Sequence, residues 1–375
     1  MSEKQNQHYV PQYYLRNFSN DGISIRMLLK KQGKVIKNVT IDNQASDNNF
    51  YGDHEIEKKV TTYDNQFSAV ISKAILGIKN NSLSGEDFLG LFKAVCFQYL
   101  RTSAQRHNKK PLMDFYEDFY QEDLKNVDDY DSGVSQEATD AVNFAMRSVL
   151  EAMSDGKKWQ LFDMFNLDYE LSEISDLDAV FIINKTKFPL VCSDSPVNRF
   201  NIALQDLECD KVGNKNHGLI IYYPISSEFG FLLFDKNAYK LKSDDLNIVT
   251  ITNESDVYCL NSAQLYNSVN SVFFKDFQFS EYVKNMWEDN SENLEVREAE
   301  IVYAEEVTLD GYLTGRTVRV LAEPKNKFVA KLSFLSAHSL EKFRCIPLRE
   351  RFVSFCDGSV PYFGKIEMAI DKKLT

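Results

Sequence analysis

Three observations in the sequence predict an α+β fold. The N-terminal half is helical in pattern, an early β-hairpin interrupts it, and a run of short apolar strands beyond Trp159 supplies an antiparallel or mixed sheet for the helices to pack on. The hairpin is read from Ile23, Ile25, Met27 and Leu29, which recur at every second position. Gly33 then breaks the run, and Val35, Val39 and Ile41 follow. From His54 the period changes: Ile56, Val60, Tyr63, Phe67, Val70, Ile71 and Ala74 fall on one helical face as far as Ile78. Ser84 and Asp87 in "SGED" form a capping box. Phe88, Leu91, Phe92, Val95 and Tyr99 carry the next helix to about His107. Acidic helical material follows, "DDYDSG" is a break, and Glu137–Met153 is a further helix. Strands are expected in "DAVFIINK", "FPLVCS", "GLIIYYPIS" and "FGFLLF", a helix over Ser255–Phe274, and mixed strands in the last hundred residues.

These elements divide the chain into a core at 1–275 and a C-terminal mixed extension at 276–375. The core comprises a mostly helical part with the hairpin (1–158) and a sheet-rich part (159–275). With 375 residues and 43% hydrophobic content the chain can bury a large core. Its 27 Phe and 19 Tyr against 15 Gly and 8 Pro exclude a linker-dominated design. No apolar run is long enough to span a bilayer and no leader pattern opens the chain, so a cytoplasmic location without membrane contact is expected. Cys96, Cys192, Cys209, Cys259, Cys345 and Cys356 show no CxxC pair and read as free thiols.

The net charge of −12 repels a phosphate backbone, so nucleic acid would need a local basic surface. One is available in Lys4, Arg16, Arg26, Lys30, Lys31, Lys34 and Lys37, against Glu3 and Asp21. A solvated face accounts for the same charges. No Walker loop, GxGxxG, GxSxG, HExxH or zinc-deaminase signature is present, which excludes those enzyme classes.

Four places could carry chemistry. "QHYVPQYYLRNFS" sets His8, Gln12, Arg16 and Asn17 within three turns beyond Pro11, among aromatics that can anchor them. In "CFQYLRTSAQRH", Gln98, Arg101 and Gln105 share a polar stripe, and the guanidinium could hold a phosphate or pair with a core carboxylate. "FPLVCSDSPV" delivers Ser193, Asp194 and Ser195 at the end of a strand, as a catalytic presentation or a structural turn. Glu57 and Asp64, a heptad apart and about 10 Å by helical rise, are too wide for one metal without another ligand and read as a solvated face.

With "HYVPQYYLRNF", "QYLRT", "PLVCSDSPV", "YYPIS" and "LNSAQ" in this order, the first 275 residues resemble the bacterial family named domain of unknown function 4238. The resemblance marks His8, Gln12, Arg16, Asn17, Asp194, Pro196 and Asn261 as its motif positions and implies a shared site without naming a substrate. Where members carry a second glutamate on the early helix, this chain has Asp64.

Two functions fit. One is a nuclease-like enzyme acting on phosphodiesters in phage defence or a mobile element. His8, Asp194 and Arg101 would do the chemistry, with Gln12, Arg16, Asn17, Gln98, Ser193 and Asn261 binding substrate and Mg²⁺ or Mn²⁺ as a usable cofactor. A nucleobase-excising or modifying enzyme belongs to the same class. The other is a non-catalytic binding or sensor protein in which the same residues form a polar network. An open cleft at His8 and Asp194 favours the enzyme, and a sealed core favours the network.

Overall fold

The computed structural model describes residues 6–108, 110–111, 114, 144, 156–206, 212–243, 245, 247–294, 300–303, 308–309, 312–313, 319–322, 328–338 and 348–353. The acidic stretch and the helix expected at Glu137–Met153 lie, but for isolated residues, outside them.

The N-terminal half begins with β1 (Asn6–His8), the single turn α1 (Gln12–Leu15), the hairpin β2 (Ser24–Leu29) and β3 (Lys34–Thr40), and β4 (Ser46–Asn48), which pairs with β1. Two long helices follow, α2 (His54–Asn80) and α3 (Gly85–Leu100). The Asp53 carboxylate accepts from Ile56 N at the start of α2, Asn81 closes it in the left-handed conformation, and Ser84 with Asp87 forms the expected capping box. Lys73 meets Asp87 at 3.0 Å, so the two helices run antiparallel.

Beyond Trp159 the strand pattern starts later than expected. α4 (Gly156–Phe165) and α5 (Leu167–Ile174) come first and bury Leu161, Met164, Leu167 and Ile174. The strands are β5 (Asp178–Asn184), β6 (Cys192–Ser193), β7 (Asn198–Phe200), β8 (Ile220–Pro224), β9 (Phe229–Phe234), β10 (Tyr239–Leu241) and β11 (Ile248–Ile251). α6 (Glu254–Asn267), β12 (Ser271–Phe274) and α7 (Ser280–Asn290) complete this part. The helix expected over Ser255–Phe274 therefore ends at Asn267, and its last residues form a strand.

The architecture is α+β. A five-stranded mixed sheet has the order β11-β5-β9-β8-β7, with β11 parallel to β5 and the other pairs antiparallel. Its strands are apolar on both faces because both are covered. Phe181, Ile221, Tyr223, Phe231 and Leu233 face the core made with α1, α2 and α3. Val180, Ile182, Ile220, Tyr222 and Leu232 face the core made with α6 and Phe328–Leu335. A second sheet, β3-β2-β12-β6, is antiparallel and packs Leu28, Val272 and Phe274 on Val283 and Met286 of α7. The hairpin of the helical part thus shares a sheet with β12 of the sheet-rich part.

The α7 contact depends on Gly33. This residue has φ +61°, and a β-carbon there would come within 2.5 Å of the Trp287 ring, whose Nε1 donates to Lys30 O at 2.7 Å. Gly33→Ala is expected to lower stability by about 2 kcal/mol, from the left-handed conformation and the displaced indole together. Chemical denaturation with tryptophan fluorescence measures it, and an unchanged midpoint would refute the assignment.

Candidate functional site

The site is built where the first strand meets the end of α3. Arg101 follows the last turn of α3 and is buried, so each of its N–H groups needs an acceptor. Nη1 and Nη2 both reach the Asp64 carboxylate of α2, Nη2 also donates to His8 O at 2.7 Å, and Nε donates to Tyr51 Oη at 2.9 Å. One turn earlier, Gln98 Nε2 donates to Tyr9 O at 3.0 Å. Two side chains of α3 therefore hold the main chain of the N-terminal segment. From the other side, buried Gln7 accepts from Tyr51 N at 2.6 Å.

Burial would lower the Arg101 pKa, but Asp64 and the hydroxyls of Tyr51 and Tyr13 hold it above the ordinary arginine value. The same burial pushes Tyr51 up to about 12 and Tyr13 well above its usual range. Arg101 is thus a permanent cation enclosed by its partners, with no face open to a phosphate, because the core-carboxylate pairing took the guanidinium. Its expected catalytic role, and the substrate contact expected of Gln98, do not fit this geometry.

In front of this buried group lies a polar chain. His8 Nε2 donates to Asp42 O at 3.1 Å, Gln12 Nε2 donates to Asp42 Oδ1 at 2.8 Å, and Arg16 Nη2 donates to Gln12 Oε1 at 2.8 Å. Arg16 is exposed, while His8 and Gln12 are half-buried. Burial lowers the His8 pKa against the opposing pull of Asp42, so the ring is neutral at physiological pH with Nδ1 as its lone-pair nitrogen. Glu57, one heptad before Asp64, is half-buried too. Burial raises its pKa against the pull of Arg101, and Oε2 has no hydrogen-bond partner. Glu57 and Asp64 flank a buried cation and are not a solvated face.

The remaining expected residues lie elsewhere. Asp194 is sealed at 2% exposure, and its carboxylate accepts from Val269 N (2.8 Å), Asn270 N (2.7 Å) and Ser271 N (3.1 Å). None of His8, Gln12, Arg16 or Arg101 is among its hydrogen-bond partners, so the expected pairing with His8 is not formed. Its oxygens are taken by the loop that turns α6 into β12. Ser193 Oγ donates to Gln264 Oε1, and Asn261 bridges Val191 N and Pro189 O, so both tie the segment leading into β6 to α6. Asn17 Nδ2 donates to Ile225 O and ties the turn that follows α1 to the residue just past β8.

The basic stretch is also partly spent inside the fold. Lys30 is buried and donates to Tyr266 O and Ser268 O, while Lys37 stays exposed and lies over the Phe277 ring on the surface. Among the described residues no three His, Cys, Asp or Glu side chains converge to hold a metal ion. Cys96, Cys192 and Cys259 are buried free thiols, and the other cysteines lie outside the described residues. No helix among the described residues is long and apolar enough to cross a membrane.

A family model described as protein of unknown function, DUF4238, matches residues 6–277. The chain belongs to the DUF4238 family. No curated protein and no solved structure matches it. The DUF4238 match begins at β1 and ends just past β12, so it takes in the His8 site and the loop gripped by Asp194. Sequence reasoning reaches His8, Gln12 and Arg16 of the site but misses Asp42, Tyr51 and Gln7, whose partners lie 30 to 50 residues away in the chain and which no local spacing reveals. Glu57 is visible from its heptad relation to Asp64.

Proposed function

We propose that this DUF4238 protein is a hydrolase acting on phosphodiesters, with its site on the exposed side of His8. The observation that carries the reading is the chain from exposed Arg16 through Gln12 and Asp42 to a neutral, half-buried imidazole. His8 Nδ1 takes a proton from the attacking water or hydroxyl. Glu57, whose raised pKa keeps its proton to higher pH than an ordinary carboxylate, returns one to the leaving oxygen. Arg16 supplies the positive charge for the phosphate, the role that the sequence suggests for Arg101. A place in phage defence or a mobile element is consistent with such an activity.

Incubating the protein with DNA, RNA and nucleotides, with Mg²⁺, Mn²⁺ or chelator, tests the reading. Cleavage is expected from wild type. His8→Gln and Glu57→Gln are each expected to lower kcat by about 100-fold or more, and Arg16→Ala to raise KM with unchanged thermal stability. If wild type transforms none of these substrates, the phosphodiester reading falls. The non-catalytic reading is then preferred, supported by the saturation of Arg101, Asp194 and Asn261 with structural partners.

A further inference from the structure

The N-terminal half of α3 does something different from its C-terminal end. Between it and the ends of β5, β9 and β10 lies a cavity of about 630 Å³, well within the size range of small-molecule sites. Phe88 and Phe92 of α3 line one wall, Leu177, Val180, Phe234 and Leu241 add further apolar surface, and Tyr239 and Asn247 add polar atoms. Phe88 and Phe92 are braced from behind by Phe181 and Phe231, with ring centroids 4.9 and 6.0 Å apart, so the wall is preformed. Arg101 lies about 20 Å further along the helix from Phe88 by helical rise, so this space is separate from the His8 site.

The mouth is polar and unevenly charged. Asp178, Lys236, Lys240 and His338 line it. Lys236 Nζ lies 3.5 Å from Asp178 Oδ1, so these two charges offset each other. Lys240 has no ion-pair partner among the described residues and remains as the uncompensated cation. A mostly apolar lining with one unmatched lysine fits an apolar body with a single anionic head. It does not fit a polyanion such as a nucleotide, which would need several cations and hydrogen-bonding walls.

We propose that this cavity binds a small amphiphilic anion, a medium-chain carboxylate, with its chain against Phe88 and Phe92 and its head at Lys240. The test uses the full chain, titrated calorimetrically with decanoate and with its neutral methyl ester. Saturable binding of decanoate is expected, at least tenfold tighter than the ester. Lys240→Glu is expected to weaken decanoate at least tenfold without changing the melting temperature, because the side chain is exposed. Lys240→Gln is expected to fall between. His8→Gln is expected to bind decanoate as wild type does, which keeps this site distinct from the proposed catalytic one. Absence of saturable binding, equal affinity for acid and ester, indifference to Lys240→Glu, or loss of binding in His8→Gln would each overturn the proposal.

Discussion

Arg101→Met is expected to destabilise the protein by about 3–5 kcal/mol, more than any other single change at the site. The substitution removes the hydrogen bonds to Tyr51 Oη and His8 O and leaves the Asp64 carboxylate without its cation. Asp64 keeps some contact with solvent at 22% side-chain exposure, which relieves part of the penalty and favours the lower end of the range. Arg101→Lys loses the two-pronged geometry and is expected to recover less than half of the loss. The double variant Arg101→Met/Asp64→Asn is expected to cost less than the sum of the single changes, because the stranded charge is gone. Urea denaturation of wild type, the two single variants and the double variant measures this coupling. Strict additivity would mean that the two side chains do not form the buried pair on which the site is built.

Asp194 gives the second large effect. Asp194→Ala removes the acceptor for three backbone amides and is expected to cost about 3 kcal/mol or more, since each stranded donor loses its partner in a sealed place. Asp194→Asn keeps one carbonyl oxygen and is expected to cost about half as much. The two also differ in pH dependence. Burial raises the Asp194 pKa to about 6, against the pull of the three amides and Lys30. A carboxyl whose pKa is higher in the folded than in the unfolded chain contributes most below the unfolded value, and that contribution is lost as pH rises through the folded one. Relative to Asp194→Asn, wild type is therefore expected to lose up to about 3 kcal/mol between pH 4 and pH 7, an upper bound set by the gap between the folded value and that of an ordinary aspartate. Thermal melts of both proteins across that interval give the comparison. Parallel curves would show that Asp194 is ionised throughout.

What can be read from the sequence follows from where the deciding interactions lie. The α2 face, the hairpin and the capping box of α3 are local, and each is legible. β5, β8 and β9 are legible because a strand covered on both faces is a short apolar run with turn residues at its ends. α4 and α5 are not, because they are short and their buried positions are few and widely spaced. The break between α6 and β12 is hidden for another reason. Asp194, 75 residues earlier, and Lys30, 238 residues before Ser268, hold the turn from outside. At the site, the spacing of His8, Gln12 and Arg16 is visible. Asp42, which joins the first two, comes from a turn 34 residues beyond His8. The roles expected of Arg101 and Asp194 fail for one physical cause: both are satisfied inside the fold by partners far away in the chain, Asp64, Tyr51 and His8 O for Arg101 and three backbone amides for Asp194, and local side-chain spacing carries no signal of them.

The way β1 and α1 are held bears on how the chain is made. His8 O waits for Arg101, 93 residues later, and Tyr9 O for Gln98. Tyr14 Oη and Asn17 wait for the carbonyls of Pro224 and Ile225, more than 200 residues on. This segment is synthesised well before its partners, so its tyrosines and phenylalanine stay unsheltered until those later residues arrive. Docking of β1 and α1 therefore depends on contacts that span up to 210 residues of chain, which ties the start of the family-matched region to its later part in one cooperative unit.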